Sequence, residues 1–147
     1  MGSLPSLPEV AGFNIFTLSK AEHELLDKDL FMRLYGELKE ILIAQNKEYF
    51  DLINLSKEME KIMIEQNFLR CIINDIISTD EYTLPGIAYY ADTTEDVVFE
   101  VASGQNPNPS LSLARKVIDL HRTVRPDLYR RLLKKILDAV KVETCAA

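Results

Sequence analysis

The chain has 147 residues, 47% of them hydrophobic and 27% charged, with five Gly, six Pro and two Cys; this matches a single globular domain or a domain with an appendage. Collagen-like, disordered and disulfide-scaffold classes are excluded, and a formal net charge of −6 disfavours non-specific binding to nucleic acid. No apolar run nears the roughly 18 residues that span a bilayer, so no membrane partner is expected.

Charge is unevenly distributed. Residues 1–82 carry 8 Lys+Arg against 15 Asp+Glu, a balance of −7, whereas residues 83–147 carry 9 against 8, a balance of +1. Cys71 and Cys145 are far apart in sequence and suggest neither a disulfide framework nor a metal-ligand set, which fits a reducing cytosol. Met1–Gly12 contains no Lys or Arg and is interrupted by Pro5 and Pro8, unlike a secretory signal, so a cytoplasmic location is expected. Met1-Gly2-Ser3-Leu4-Pro5-Ser6 fits the loose N-myristoylation pattern, but an initial Met-Gly-Ser is equally an expression-vector remnant, and no lipid is expected.

Residues 1–19 read as an arm without sustained periodicity. From there to 79, long helices are expected: no Pro falls between Pro8 and Pro85, and after Gly12 the only Gly before Gly86 is Gly36. Phe31, Leu34, Tyr35, Leu38, Ile41, Leu42, Tyr49, Leu52 and Ile53 form one stripe, predicting a helix from about Asp27 or Lys28 to about Ile53. Asn54-Leu55-Ser56 supplies a turn and a cap. Beyond it, Leu55, Met59, Ile62, Gln66, Leu69, Ile73 and Ile76 alternate at four and three, about three heptads with one polar seam position. Such a seam serves either a hairpin with the preceding helix or a homodimer.

Residues 80–147 predict shorter helices. Thr83 caps Leu84-Pro-Gly-Ile-Ala-Tyr-Tyr-Ala91; Asp92-Thr93 breaks it; Thr94 caps Glu95 to Ser103, with two acids in the first turn; Gly104 ends the segment. Asn108-Pro109-Ser110 then precedes an apolar helix, Leu111 to His121, and a basic helix runs from Pro126 or Asp127 to about Val142. Its apolar stripe is Leu128, Leu132, Leu133, Ile136, Leu137 and Val140, which a solvated or acid-binding basic face would complement.

The order Ala88, turn at Asp92-Thr93, Val98, Gly104, then Pro109-Ser110 resembles the lambda-repressor-like (Cro/XRE-type) helix-turn-helix family over roughly residues 82–124. The fold expected is therefore all-α: an N-terminal long-helix hairpin or coiled-coil dimerisation region, then a helix-turn-helix domain. The resemblance implies a DNA-binding transcriptional regulator of bacterial or phage type, acting on double-stranded DNA as a homodimer. Thr94, Glu95, Asp96, Phe99, Glu100 and Ser103 would lie on the recognition helix, and Gln105, Asn106, Asn108, Arg115, Lys116, Arg122 and Arg125 would contact the backbone. Dimerisation would fall to Leu55, Met59, Ile62, Gln66, Leu69, Ile73 and Ile76.

Three carboxylates on a groove-facing helix depart from that pattern, because flanking phosphates repel them unless cations intervene. A protein-interaction module that keeps the scaffold and does not touch DNA is the alternative. No P-loop, GxGxxG, GxSxG or HExxH motif occurs, His23 and His121 are isolated, and Glu22, Glu24, Asp27 and Asp29 suit a helix start better than acid-base chemistry. Neither an enzyme nor a metal or other cofactor is expected.

Overall fold

A computed structural model describes residues 5–106 and 108–146, with the side chains of Ile15 and of residues 140–146 outside the description. The first four residues of the Met1–Ser6 myristoylation pattern and the side chains of Val140, Lys141 and Cys145 therefore lie outside the description. The described chain is helical, with no strand among the described residues: α1 (Leu7–Val10), a 3-10 turn (Ile15–Thr17), α2 (Lys20–Gln45), α3 (Lys47–Leu52), α4 (Lys57–Ser78), α5 (Leu84–Tyr90), α6 (Glu95–Ala102), α7 (Leu111–Val124) and α8 (Pro126–Ala146).

Two compact units partition the chain. One combines the chain up to Leu38 with the segment from Pro126 onward; the other is Lys39–Arg125. These boundaries differ from those expected at 19/20 and 79/80. The basic helix α8 belongs with the N-terminal residues, and α4 belongs with α5, α6 and α7.

In the first unit the expected arm contains a capped helix. Ser6 Oγ accepts from the Glu9 N–H while Glu9 Oε2 accepts from the Ser6 N–H. The same reciprocal cap starts α2 seven residues earlier than the apolar stripe predicts, since Ser19 Oγ accepts from Glu22 N–H and Glu22 Oε1 accepts from Ser19 N–H. Leu30, Phe31, Leu34 and Leu38 of α2 are buried, as are Tyr129, Leu132, Leu133 and Ile136 of α8. Lys135 Nζ reaches Glu37 Oε2 at 2.8 Å.

The predicted helix through Ile53 is broken at Asn46. Its Nδ2 donates to the Leu42 carbonyl at 2.7 Å, competing with the helix ladder, and the backbone there (φ −103°, ψ 10°) leaves the helical basin. α3 then ends at Leu52 with Ile53 as its C-cap, and Asn54 takes a left-handed conformation (φ 54°) before Ser56 caps α4 through the Met59 N–H.

In the second unit α4 packs against α7 and α6, and α5 packs against α6 and α7. Ile72, Ile73, Ile76, Ile87, Val98, Val101, Val117, Ile118 and Leu120 are buried here. Each such side chain contributes roughly 1.5–3 kcal/mol on leaving water, offset by ordering entropy. This corrects the expected use of the α4 stripe: Leu69, Ile73 and Ile76 are buried within their own chain and are unavailable to a partner seam. Met59, Ile62 and Gln66 remain exposed and Leu55 half-buried.

Candidate functional site

Side-chain caps on local hydrogen bonds fix the α5–α6 pair. Thr83 Oγ1 accepts from Gly86 N–H and Thr94 Oγ1 from Val97 N–H, each at 3.3 Å, while Pro85 occupies the first turn of α5, where its missing N–H costs nothing. Between them Ala91 is buried, Asp92 adopts φ 55°, and the Thr93 N–H closes the turn on the Ala88 carbonyl at 3.0 Å. Asp tolerates this left-handed backbone because its short polar side chain can bond locally. Val98 and Val101 turn inward, which leaves the opposite face of α6 to solvent.

That face carries the residues expected from the sequence. Glu95, Asp96, Glu100 and Ser103 are exposed, and Phe99 is 49% exposed. Thr94 is the N-cap, so its hydroxyl serves the helix as an acceptor. Glu95 and Asp96 sit in the first turn, where they complement the helix dipole. Ser103 Oγ turns back to the Glu100 carbonyl at 3.4 Å. Gln105 and Asn108 are exposed after Gly104 (φ 83°), whereas Asn106 is half-buried: its N–H donates to the Glu100 carbonyl and its Oδ1 accepts from Asn108 N–H.

The cations expected to frame this helix are engaged elsewhere. Arg122 is 6% exposed and reaches Asp119 at 3.4 Å, so it cannot meet a phosphate as expected. Arg115 Nε donates to the same carboxylate at 3.4 Å. Arg125 grips Asp75 through Nε and Nη2 at 3.1 and 3.2 Å. Lys116 Nζ donates to the Ala91 carbonyl at 3.2 Å beside a cleft of about 340 Å³ that Asp92 also lines. On α8, Arg130 pairs with Asp127 and Lys135 with Glu37, in the other unit.

One cation at α6 carried no sequence signal. Arg70, on α4, donates Nε–H to the Ala102 carbonyl at 3.1 Å, capping the negative end of α6 from 32 residues upstream. Only tertiary packing of α4 on α6 brings it there. Around these ends the local sequence is acidic: residues 71–114 contain seven Asp+Glu and no Lys or Arg.

His121, in the last turn of α7, points into the interior of its unit. It is 2% exposed, and burial pushes its imidazole below the ordinary histidine range, opposed in part by Asp75. The half-buried Cys71 thiol is pushed up by burial, which disfavours the reactive thiolate. No grouping of three or more His, Cys, Asp or Glu able to hold a metal occurs among the described residues, and none of their helices is long and apolar enough to cross a membrane. No family model, curated protein or solved structure matches the chain.

Proposed function

We propose that this chain is a protein-recognition module: a helix-turn-helix scaffold whose α6 face docks a Lys- or Arg-bearing segment of a partner protein. The observation that carries this reading is the exposed set Glu95, Asp96 and Glu100 around the half-exposed Phe99, while Arg115, Arg122 and Arg125 are ion-paired to Asp119 and Asp75. An aromatic anchor among carboxylates suits a cationic, partly apolar ligand, whereas a polyanion would meet the seven acids of residues 71–114 against the two nearby cations Arg70 and Lys116. The role is binding without catalysis, in the cytosol, and the exposed Met59, Ile62 and Gln66 are the part of the heptad stripe left for a homodimer.

Operator DNA is the second reading. It is favoured by the motif order from Ala88 to Ser110, by the solvent-facing outer surface of α6, and by Arg70 and Lys116 near its two ends.

A Lys/Arg-rich amphipathic helical peptide tests the first reading. It is expected to bind the intact chain, to weaken with added salt, and to lose at least about tenfold in affinity on E95K/D96K/E100K, a loss of 1.4 kcal/mol or more. Equal affinity for the charge-reversed chain would contradict the assignment of α6.

A further inference from the structure

We propose that the cleft between α3 and α4 binds a small carboxylic acid with an aromatic or branched aliphatic body. The cleft holds about 300 Å³, at the small end of the range of ligand sites. Phe50 and Ile64, both buried, are its apolar walls; Tyr49, Asn67, Arg70 and Asn74 also line it.

The charge of this lining stands against its surroundings. Residues 39–125 contain 14 Asp+Glu and 9 Lys+Arg, yet the cleft is lined by one cation and no carboxylate. A single anionic group is therefore the charge it favours, and uncharged amides and a phenol can complete the hydrogen bonding without repelling it. Two of the polar groups are already oriented. Asn67 Nδ2 donates to the Met63 carbonyl at 2.8 Å, and Arg70 is held at Nε by the Ala102 carbonyl. Such fixed side chains lose little entropy when a ligand arrives. Arg70 thus belongs both to the cleft and to the C-terminal cap of α6, so occupancy is felt at Ala102 and at Gly104, where an added Cβ would stand 3.0 Å from Arg70 Nη1.

Phenylacetate is the probe, with 2-phenylethanol as its uncharged counterpart, titrated into the isotope-labelled full chain and followed by nuclear magnetic resonance. The expected result is saturable movement of the Asn67 and Asn74 side-chain amides and of the Gly104 backbone amide. Phenylacetate should bind at least about tenfold more tightly than the alcohol, as charge-assisted hydrogen bonds outweigh neutral ones. Arg70→Gln should erase that preference, and Asn67→Asp, which puts a like charge into the cleft, should abolish phenylacetate binding while sparing 2-phenylethanol. Both positions carry polar side chains outside the core, and the alcohol response reports that each variant keeps its cleft. No saturation in the parent chain, an acid preference that survives Arg70→Gln, or phenylacetate binding unchanged in Asn67→Asp overturns the proposal.

Discussion

His121 Nε2 lies 2.6 Å from Asp75 Oδ2, a bond that ties the last turns of α4 and α7 together inside the unit formed by Lys39–Arg125. Burial pushes His121 down and favours the neutral ring, which then donates Nε2–H to the carboxylate. For Asp75, burial pushes upward, but the hydrogen bonds from Arg125 and His121 win and hold it below the usual carboxylate range.

The pH dependence of stability follows from those two directions. The unfolded chain takes up a proton on His121 near 6.5, before the folded chain does, so stability falls as pH drops below that value and through the lower folded pKa. Asp75 contributes stability that is full above its ordinary 3.8 and is lost as pH falls through its depressed folded value. Thermal melts across this acidic range should show two declines in Tm, and His121→Gln should remove the one that begins near 6.5 while keeping a donor to Asp75.

Glu60 is buried on the first turn of α4, and Lys47 Nζ reaches its Oε1 at 3.0 Å and Asp51 Oδ1 at 3.2 Å. The Glu60 hydrogen bond, then that of Asp51, raises the lysine. Removing Lys47 leaves a buried carboxylate without this cation, whereas Asp51 is exposed. Lys47→Ala should therefore lower Tm more than Asp51→Ala, as read by circular dichroism, and Lys47→Ala/Glu60→Gln should recover part of the loss.

The two halves of the α4 stripe should separate by substitution. Ile73 is fully buried, and Ile73→Ala should cost about 2–5 kcal/mol in chemical denaturation. Ile62 is exposed, so Ile62→Asp should change monomer stability by no more than about 0.5 kcal/mol. If the exposed half of the stripe joins two copies, Ile62→Asp shifts sedimentation toward the monomer.

Gly104 closes α6 at φ 83°, and a Cβ there would stand 3.0 Å from Arg70 Nη1. Gly104→Ala should destabilise by about 1 kcal/mol through the left-handed backbone. The displaced arginine should also move the Ala102 amide resonance.

Local chemistry made the C-terminal half readable: Thr83, Thr94 and Ser110 each cap a helix, and Gly104 sits where α6 stops. The N-terminal half was less so. The start of α2 is set by the Ser19–Glu22 pair rather than by the apolar stripe, and its end by Asn46, whose side chain bonds backward to Leu42. Periodicity reports that Leu69, Ile73 and Ile76 are apolar on one face but not what covers them; α7 and α6 do. At the candidate site, the positions on α6 were legible from helical spacing. The engagement of Arg122 with Asp119 and of Arg125 with Asp75, and the arrival of Arg70, depend on contacts that spacing does not encode.

Fluorescence anisotropy of a labelled mixed-sequence DNA duplex at low ionic strength tests the acidic character of α6 most directly. The expected result is no saturable binding by the parent chain and measurable affinity once Glu95, Asp96 and Glu100 are replaced by Gln, Asn and Gln. Tight binding by the parent chain that weakens steeply with salt would contradict it.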